Sequence, residues 1–414
     1  MVPNGWEEKT LEDITKEKIS YGIVQAGPHI DDGVPYLKSS DVGGEISISS
    51  LQRTAHDIHE KYKRSAVHPN DIVFSLRGNI GRTSIVPGNL PEANLTQGTA
   101  RISVNDKNDT KFVYYSLATS WTLNRINSLS KGSTFKEISL AELRKVKLLF
   151  PSLPEQQKIA KILTTWDKAI DTTERLIDNS KHQKKALMQQ LLTGKKRLLD
   201  ENGKPFEGEW EESSIYDISE LMTDYVANGS FQSLKENVEV TSEPNYALYV
   251  RLVDLRAGLG NKNQKYTTKE SYDFLKKSSL YGGELLMANI GANVGEVWQM
   301  PHTNKPATLA PNMLMTKFKN NIDSTFMYYY LSSEWGQNRI SKTISGSGHP
   351  KINKTDLKQV IVPTPSLNEQ QKIVAVLTNA DKEIELLEQQ LADLQQEKKA
   401  LMQQLLTGKK RVTV

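Results

Sequence analysis

The clearest hydrophobic pattern in the chain runs from Ile373 to Leu405. Apolar residues step by four and three through Ile373, Leu377, Ala380, Ile384, Leu387, Leu391 and Leu394, and return at Leu401 and Leu405. Spacing of this kind, held over roughly four heptads, predicts one long helix with a narrow coiled-coil seam. A second seam runs through Ile159, Leu163, Ile170, Ile177, Leu187 and Leu191. Each predicted helix opens on an S-x-x-E capping box, Ser152–Glu155 and Ser366–Glu369, in which serine and glutamate satisfy free amide donors of the first turn. Each stops at a glycine, Gly194 or Gly408, followed by basic residues that suit the negative end of a helix dipole. At 1.5 Å per residue each helix would be about 55 Å long.

These two helices are copies. KKALMQQLLTGKKR occurs at Lys184–Arg197 and, without a substitution, at Lys398–Arg411. PSLPEQQKIAKIL from Pro151 aligns with PSLNEQQKIVAVL from Pro365, and FVYYSLATSWTLNRI from Phe112 with FMYYYLSSEWGQNRI from Phe326, at the same offset. WEEKTLEDI at Trp6 resembles WEESSIYDI at Trp210, with a longer loop later in the second copy. The chain is a tandem duplication of a globular part followed by a long helix. The period is far too long for a solenoid.

A seam on a lone helix needs a partner, and within one chain the other copy is the obvious one. The expected fold class is therefore α+β: two tandem mixed α/β domains joined by two long helices, paired as an intramolecular antiparallel coiled coil about a pseudo-twofold axis. The expected segments are 1–150, 151–200, 201–364 and 365–414. Thr173, Ser180, Lys184 and Lys398 interrupt the seams, and such interruptions weaken a seam while fixing its register. In the globular parts LKSSDV, DIVFSL, RTSIVP, ARISV, LYVRLVDL, ELLMANI, EVWQM and MLMTKF read as short strands. KFVYYSLATSWTLNRINSL reads as helix. Regular β–α–β alternation is missing, which argues against a doubly wound parallel sheet.

The chain of 414 residues has no cysteine, so disulfides and thiolate metal sites are excluded. MVPNGWEEKT lacks the pattern of a secretory signal, and no apolar run is long enough for a membrane helix, so a cytoplasmic location is expected. A formal charge of +4 permits a polyanionic partner without demanding one.

Candidate chemistry lies in loops that recur at matching places. Ser75–Thr83 (SLRGNIGRT) corresponds to Ala288–Val297 (ANIGANVGEV), with paired glycines that allow close backbone approach. Arg77 and Arg82 suit phosphate or a guanine edge, and Asn79, Asn289 and Asn293 suit adenine. Gln97 falls opposite Pro311 and its neighbour Asn312. A third loop sets Lys131, Ser133, Thr134, Phe135 and Lys136 against Ser345, Ser347, His349 and Lys351. YLKSSDV and YVRLVDL place Lys38, with Ser39, or Arg251 three residues before an aspartate. Gly-Asn loops also serve as plain hairpin turns, and Lys or Arg near Asp as plain surface pairs. Matching scaffolds with diverging loops form the pattern that suits a reader of two different short sequences.

Catalytic motifs are missing. There is no G-x-x-x-x-G-K-[ST], no G-x-S-x-G, no H-E-x-x-H and no [ND]-P-P-Y tetrapeptide. His56 and His59, with His68 nearby, form a histidine pair without converging carboxylates in the sequence, so no metal site is assigned.

The helix starts LPEQQKIAKIL and LNEQQKIVAVL, the doubled LMQQLLTGKKR ends, the opening GWEEKTLEDI, YLKSSDV and the GNIGRT loop together resemble the specificity (S) subunits of type I restriction-modification systems. The resemblance spans essentially the whole chain. It implies two target-recognition domains, each reading half of a bipartite asymmetric DNA site, with the paired helices setting the gap. It implies a non-catalytic chain that docks two modification (methyltransferase) subunits along Glu155–Leu192 and Glu369–Leu406, with restriction subunits joining to cleave. S-adenosylmethionine, ATP and Mg would sit on the partners, and this chain would carry no cofactor. Residues 1–150 hold 19 basic and 17 acidic side chains, and residues 201–364 hold 17 and 19, so the readers are near neutral. Phosphate contacts usually dominate DNA affinity, so the isolated chain is expected to bind weakly. A second reading, a coiled-coil scaffold without sequence-specific DNA binding, stays open at this level.

Overall fold

A computed structural model of the chain describes residues 2–132, 136–346 and 348–413. It comprises two compact units, Met1–Leu176 with Leu387–Val414 and Ile177–Leu386. The two long helices are Leu153–Leu191 and Leu367–Leu405, of 39 residues each. Each unit holds the first part of one and the last part of the other.

In the first unit a four-stranded antiparallel sheet runs in the order Ser20–Tyr21, Thr99–Ile102, Ile72–Ser75, Thr83–Ile85. Ile72–Ser75 is buried throughout, as suits an inner strand of β-branched and aromatic residues. A three-stranded sheet orders Gln52–Thr54, Val34–Leu37 and Asn94–Leu95, the last pair parallel. Glu7–Thr10 pairs antiparallel with Lys147–Phe150, closing the globular part on itself before the long helix begins. The main core gathers Phe74, Phe112 and Phe150 with Ile159 and Leu163 of one long helix, Leu405 of the other and Leu406 just past its end.

The second unit repeats this plan. Its four-stranded sheet orders Ser219–Asp224, Met313–Phe318, Leu285–Ala288 and Val297–Gln299, and Glu211–Ser214 pairs with Ile361–Thr364. Its smaller sheet has five strands, with a parallel pairing of Ala247–Val250 and Ala307–Leu309. Leu191 and Leu192 enter its core beside Phe326, Ile373 and Leu377.

The helix segments run antiparallel within each unit. Asp167 meets Lys398 in the first, and Lys184 meets Asp381 in the second; the residue numbers of each pair add to 565, so both units use one register. Seam residues Ile159, Leu163, Ile177, Leu191, Ile373, Leu377 and Leu405 are buried. Ile170, Leu187, Ile384, Leu387, Leu391, Leu394 and Leu401 are half-buried, as expected where a two-stranded seam has no sheet behind it. The interrupting residues are accommodated: Thr173 donates to the Ala169 carbonyl, and Ser180 donates to Glu383 at 3.3 Å. Lys184 and Lys398 each lie over a tyrosine ring, 5.4 Å from Tyr329 and 5.5 Å from Tyr115.

Four expectations need correction. Ser366 Oγ does accept from the Glu369 amide at 3.4 Å, but the Glu369 carboxylate binds Arg197 at 2.6 and 2.8 Å and the Trp210 indole at 3.1 Å. Glu155 likewise binds Arg411 at 2.7 Å through both oxygens. The glutamates therefore anchor the end of the opposite helix instead of completing a capping box. LYVRLVDL is a strand only to Val250; Leu252–Ala257 is helical, because Asp254 turns back to accept from the Arg251 backbone amide at 3.1 Å. LKSSDV similarly leaves its strand for a 3-10 turn at Ser39–Asp41. The span 111–129 is two helices, Thr110–Leu117 and Ser120–Leu129, because the Thr119 hydroxyl accepts from the Thr122 amide and starts a new helix.

Candidate nucleic-acid interface

Four loop segments meet in each unit through the same backbone hydrogen bonds. In the first, Leu76 N donates to Gly98 O at 2.8 Å and Ile138 N to Leu76 O at 3.0 Å. Arg77 bridges to Glu137, and Glu137 pairs in turn with Lys131. In the second, Asn289 N donates to Asn312 O at 3.1 Å and Ile352 N to Asn289 O at 2.9 Å. Ile290 bridges to Lys351, and Lys351 pairs with Ser345. The turns inside the first loop match too: Arg82 N donates to Asn79 O at 3.2 Å, and Glu296 N to Asn293 O at 3.1 Å. One scaffold thus presents Leu76, Arg77, Arg82, Gly98 and Glu137 in one unit and Asn289, Ile290, Glu296, Asn312 and Lys351 in the other.

Most predicted site residues fall on this junction. In the first unit Ser39 donates to Gly98 O at 2.8 Å, and Lys38 reaches Gln52 at 3.2 Å. A Cβ at Gly98 would lie 2.8 Å from Ser39 Oγ and 3.0 Å from Arg77 Nε, so this glycine is what lets those two side chains close over the loop. Arg82 lays its stem over Gly43. Asn79, Arg82, Gln97, Lys131 and Lys136 are exposed, and Arg77 is half-buried. Among the described residues Arg77, Arg82, Lys131 and Lys136 have no carboxylate partner. Ser133 and Thr134, with Phe135, lie outside the described residues.

The second unit is electrostatically different. Arg251 is held by Asp254 at 2.8 Å through two nitrogens and donates to the Asn263 carbonyl at 2.6 Å. That bidentate pairing raises the Arg251 pKa above its ordinary value, and it leaves the guanidinium engaged inside the protein. Asn289 is half-buried; Asn293, Ser345, His349 and Lys351 are exposed. Asn312 is exposed in the left-handed region, φ 68°, which asparagine tolerates better than most residues. Asn289 Oδ1 is buried without a hydrogen-bond partner, whereas its counterpart in the first unit is the apolar Leu76. An acceptor left this way is costly unless a donor arrives. Ser347 lies outside the described residues.

Sequence reasoning missed the Arg256–Glu296 pair, whose Nε–Oε1 distance is 2.9 Å. Hydrogen bonding from Arg256 holds the Glu296 carboxyl below its usual pKa. The partners are 40 positions apart, and no local spacing signals such a contact. The histidines were read as unconnected to carboxylates. The structure instead joins buried His59 and exposed His68 through Glu92, at 3.4 and 3.2 Å. Among the described residues no group of three or more His, Cys, Asp or Glu is placed to hold a metal ion.

A doubled binding scaffold on paired helices defines a two-headed recognition module. Residues 3–180 and 207–396 match the family model described as the Type I restriction modification DNA specificity domain. The chain is 25% identical over 439 residues to the type I restriction enzyme MjaVIII specificity subunit of Methanocaldococcus jannaschii, covering 99% of this chain and 94% of that protein. It is 29% identical over 196 residues to the EcoBI specificity subunit of Escherichia coli, covering 46% and 41%. Its fold is like that of the type I restriction-modification S subunit from M. genitalium, with a TM-score of 0.56 at 16% identity over 100% and 99% of the two chains. The chain belongs to the type I restriction-modification DNA specificity family. It is a specificity subunit with two tandem specificity domains, and its role is DNA recognition; catalysis belongs to other subunits.

Proposed function

We propose that each unit reads one half of a bipartite, asymmetric DNA site through its four-loop junction. The observation that carries this reading is the identity of the two backbone junctions beside the difference of their side chains. Arg77 and Arg82 supply cations and a guanine-type donor fork in the first unit. Asn289, Asn293 and Asn312 supply paired donors and acceptors in the second, with Lys351 at the rim. The paired helices hold the two readers and set the gap between half-sites. Two modification subunits dock along Glu155–Leu192 and Glu369–Leu406 and bring S-adenosylmethionine and the adenine chemistry. Restriction subunits, with ATP and Mg, complete the complex in the cytoplasm.

The test is long-read methylation mapping of the host genome with the gene intact and deleted. Deletion is expected to abolish one split adenine-methylated motif, and exchanging residues 205–350 for those of a relative to change one half of it only. An unchanged methylome, with the modification subunit demonstrably expressed, would overturn the reading.

A further inference from the structure

The two copies leave their four-stranded sheets at matching places and then part. Tyr21 ends the first copy's outer strand opposite Ala100, and Asp224 ends the second's opposite Leu314. From there to the shared strands Val34–Leu37 and Ala247–Val250 the connection is residues 22–33 in the first copy and 225–246 in the second, ten residues longer. The first copy's connection contains no helix. The second copy forms a 3-10 turn, Tyr225–Asn228, and a helix, Phe231–Asn237. This insertion is fastened beside the reading junction at two points. Asp224 binds Lys354 at 3.1 Å, three residues past Lys351. Leu234 packs with Ala310, two residues before Asn312.

Along the inserted helix the packing stops one turn short. Phe231, Leu234 and Val238 follow the spacing of a single apolar stripe. Leu234 is buried and Val238 half-buried, in a cluster with Tyr225, Tyr249, Phe274 and Leu275. Phe231 is 82% exposed, the most exposed large hydrophobic side chain among the described residues. Its surroundings are basic. The Lys276–Ser278 turn is tied to the segment leading into the helix, where Lys277 N donates to Asn228 Oδ1 at 3.0 Å. Lys276 and Lys277 are exposed, as is Lys235, one turn along from Phe231. Among the described residues none of the three has a carboxylate partner. Acids gather at the helix's other end: Ser271 Oγ donates to Asn237 O at 3.1 Å and accepts from Glu239 N at 2.9 Å, which places Glu239 and Glu270 there. Of the remaining acids, Glu236 accepts from Gln232 at 3.0 Å and Asp273 from Lys269 at 2.6 Å.

We infer that Phe231 is a wedge that enters the base stack of the half-site read by the second unit, with Lys235, Lys276 and Lys277 on the flanking phosphates. The inference rests on the DNA-reading function above and adds to it a second means of reading, by deformation. An apolar side chain pushed between base pairs unstacks one step and kinks the duplex. Cations beside it hold the displaced backbone. Pyrimidine–purine steps unstack at the least cost, so a wedge selects sequence without hydrogen bonding to it. Only the second unit carries the helix, so the kink falls in one half of the site.

The test uses the full chain assembled with its cognate modification subunit, on duplexes carrying the split motif that methylation mapping returns. 2-Aminopurine replaces each adenine of both halves in turn, and energy transfer between the duplex ends reads the bend. The wild type is expected to brighten beside one step of the second unit's half and to bend the duplex. Phe231→Ala, at an exposed position and checked for an unchanged melting curve, is expected to lose both signals. Phe231→Leu, still an apolar wedge, is expected to keep them. Lys276→Gln with Lys277→Gln is expected to reduce the slope of log affinity against log salt by about 2. A wild-type complex that binds the motif without bending it, or a Phe231→Ala complex that brightens and bends it equally, would overturn the inference while leaving DNA reading intact. So would a Phe231→Ala complex that loses a partner subunit by native mass spectrometry with both DNA signals unchanged, because the ring would then seat a protein. A wild-type complex that binds the split motif no better than a scrambled duplex would overturn the functional reading itself.

Discussion

Two lysines stand where a helix seam is ordinarily apolar, and each is matched by the same two partners. Lys398 faces Asp167 and the ring of Tyr115, and Lys184 faces Asp381 and the ring of Tyr329. Each tyrosine hydroxyl donates to its aspartate, at 2.5 and 2.6 Å. Removing one charge strands the other. Lys398→Leu is thus expected to destabilise by about 1–3 kcal/mol, the range for breaking a charged hydrogen bond that is partly desolvated. The double change Lys398→Leu with Asp167→Asn is expected to recover most of that, since it removes the stranded charge and leaves an amide oxygen to accept from the Tyr115 hydroxyl. Urea denaturation of the two variants decides it; a double variant weaker than the single would show that the pair itself stabilises. The tyrosines add a pH dependence. Burial, and then the aspartate hydrogen bond, raise both above the ordinary value of 10.0. Their contribution is fully present below the unfolded pKa and is lost as pH rises beyond it, because the unfolded chain releases those protons first. Alkaline melting curves are expected to fall from about pH 10, and Tyr115→Phe with Tyr329→Phe to flatten the fall. The interrupting lysines and tyrosines were legible as residues. Their partners were not, because Asp167 and Lys398 are 231 positions apart.

At the scale of elements, the end of the second long helix completes a core that the beginning of the chain cannot complete alone. Leu405 and Leu406 pack in the same cluster as Trp6, Phe112 and Ile159, and Arg411 lies over the Trp6 ring at 5.9 Å while holding Glu155. Gly408, at φ 68°, makes this seat possible, because a Cβ there would approach Pro3 Cγ to 2.6 Å. Leu405→Ala is accordingly expected to cost about 2–5 kcal/mol, as for other buried leucines. Deleting residues 400–414 should loosen the first unit selectively. Hydrogen exchange is expected to rise in Ile72–Ser75 and Thr99–Ile102 and to stay slow in Leu285–Ala288 and Met313–Phe318; uniform loosening would contradict it. Here the sequence was partly readable. Heptad spacing and a stop glycine are local signals, so both helices and their ends are predicted in place. The helical turn at Leu252 and the break at Thr119 were missed, because a side chain that bonds its own backbone overrides strand-like or helix-like spacing. The work done by Glu155 and Glu369 was missed for a different reason. A glutamate three residues after serine has the same spacing whether it caps its own helix or anchors another.

At the scale of the whole molecule the duplication is structurally even and electrostatically uneven. Both units build one junction, yet Arg82 in the first corresponds to Glu296 in the second, and Glu296 neutralises Arg256. Arg251 is likewise spent on Asp254. The first unit's junction therefore retains several cations that can meet phosphate, and the second's keeps Lys351 and otherwise depends on amide groups. Each phosphate contact releases counterions and steepens the fall of affinity with salt, by a slope of about 0.9 per contact. In the assembled complex Arg82→Ala is expected to reduce the slope of log affinity against log salt by about 1, almost equally for cognate and altered sites. Glu296→Gln should act in the opposite sense, since it frees Arg256 and adds a cation facing DNA. Anisotropy titrations at several salt concentrations read both variants directly. If Arg82→Ala leaves the slope unchanged and instead relaxes preference within one half-site, Arg82 contacts a base edge and not the backbone. If both variants leave the slope unchanged, the phosphate contacts lie on the partner subunits, and the near-neutral charge of both readers follows from that division of labour.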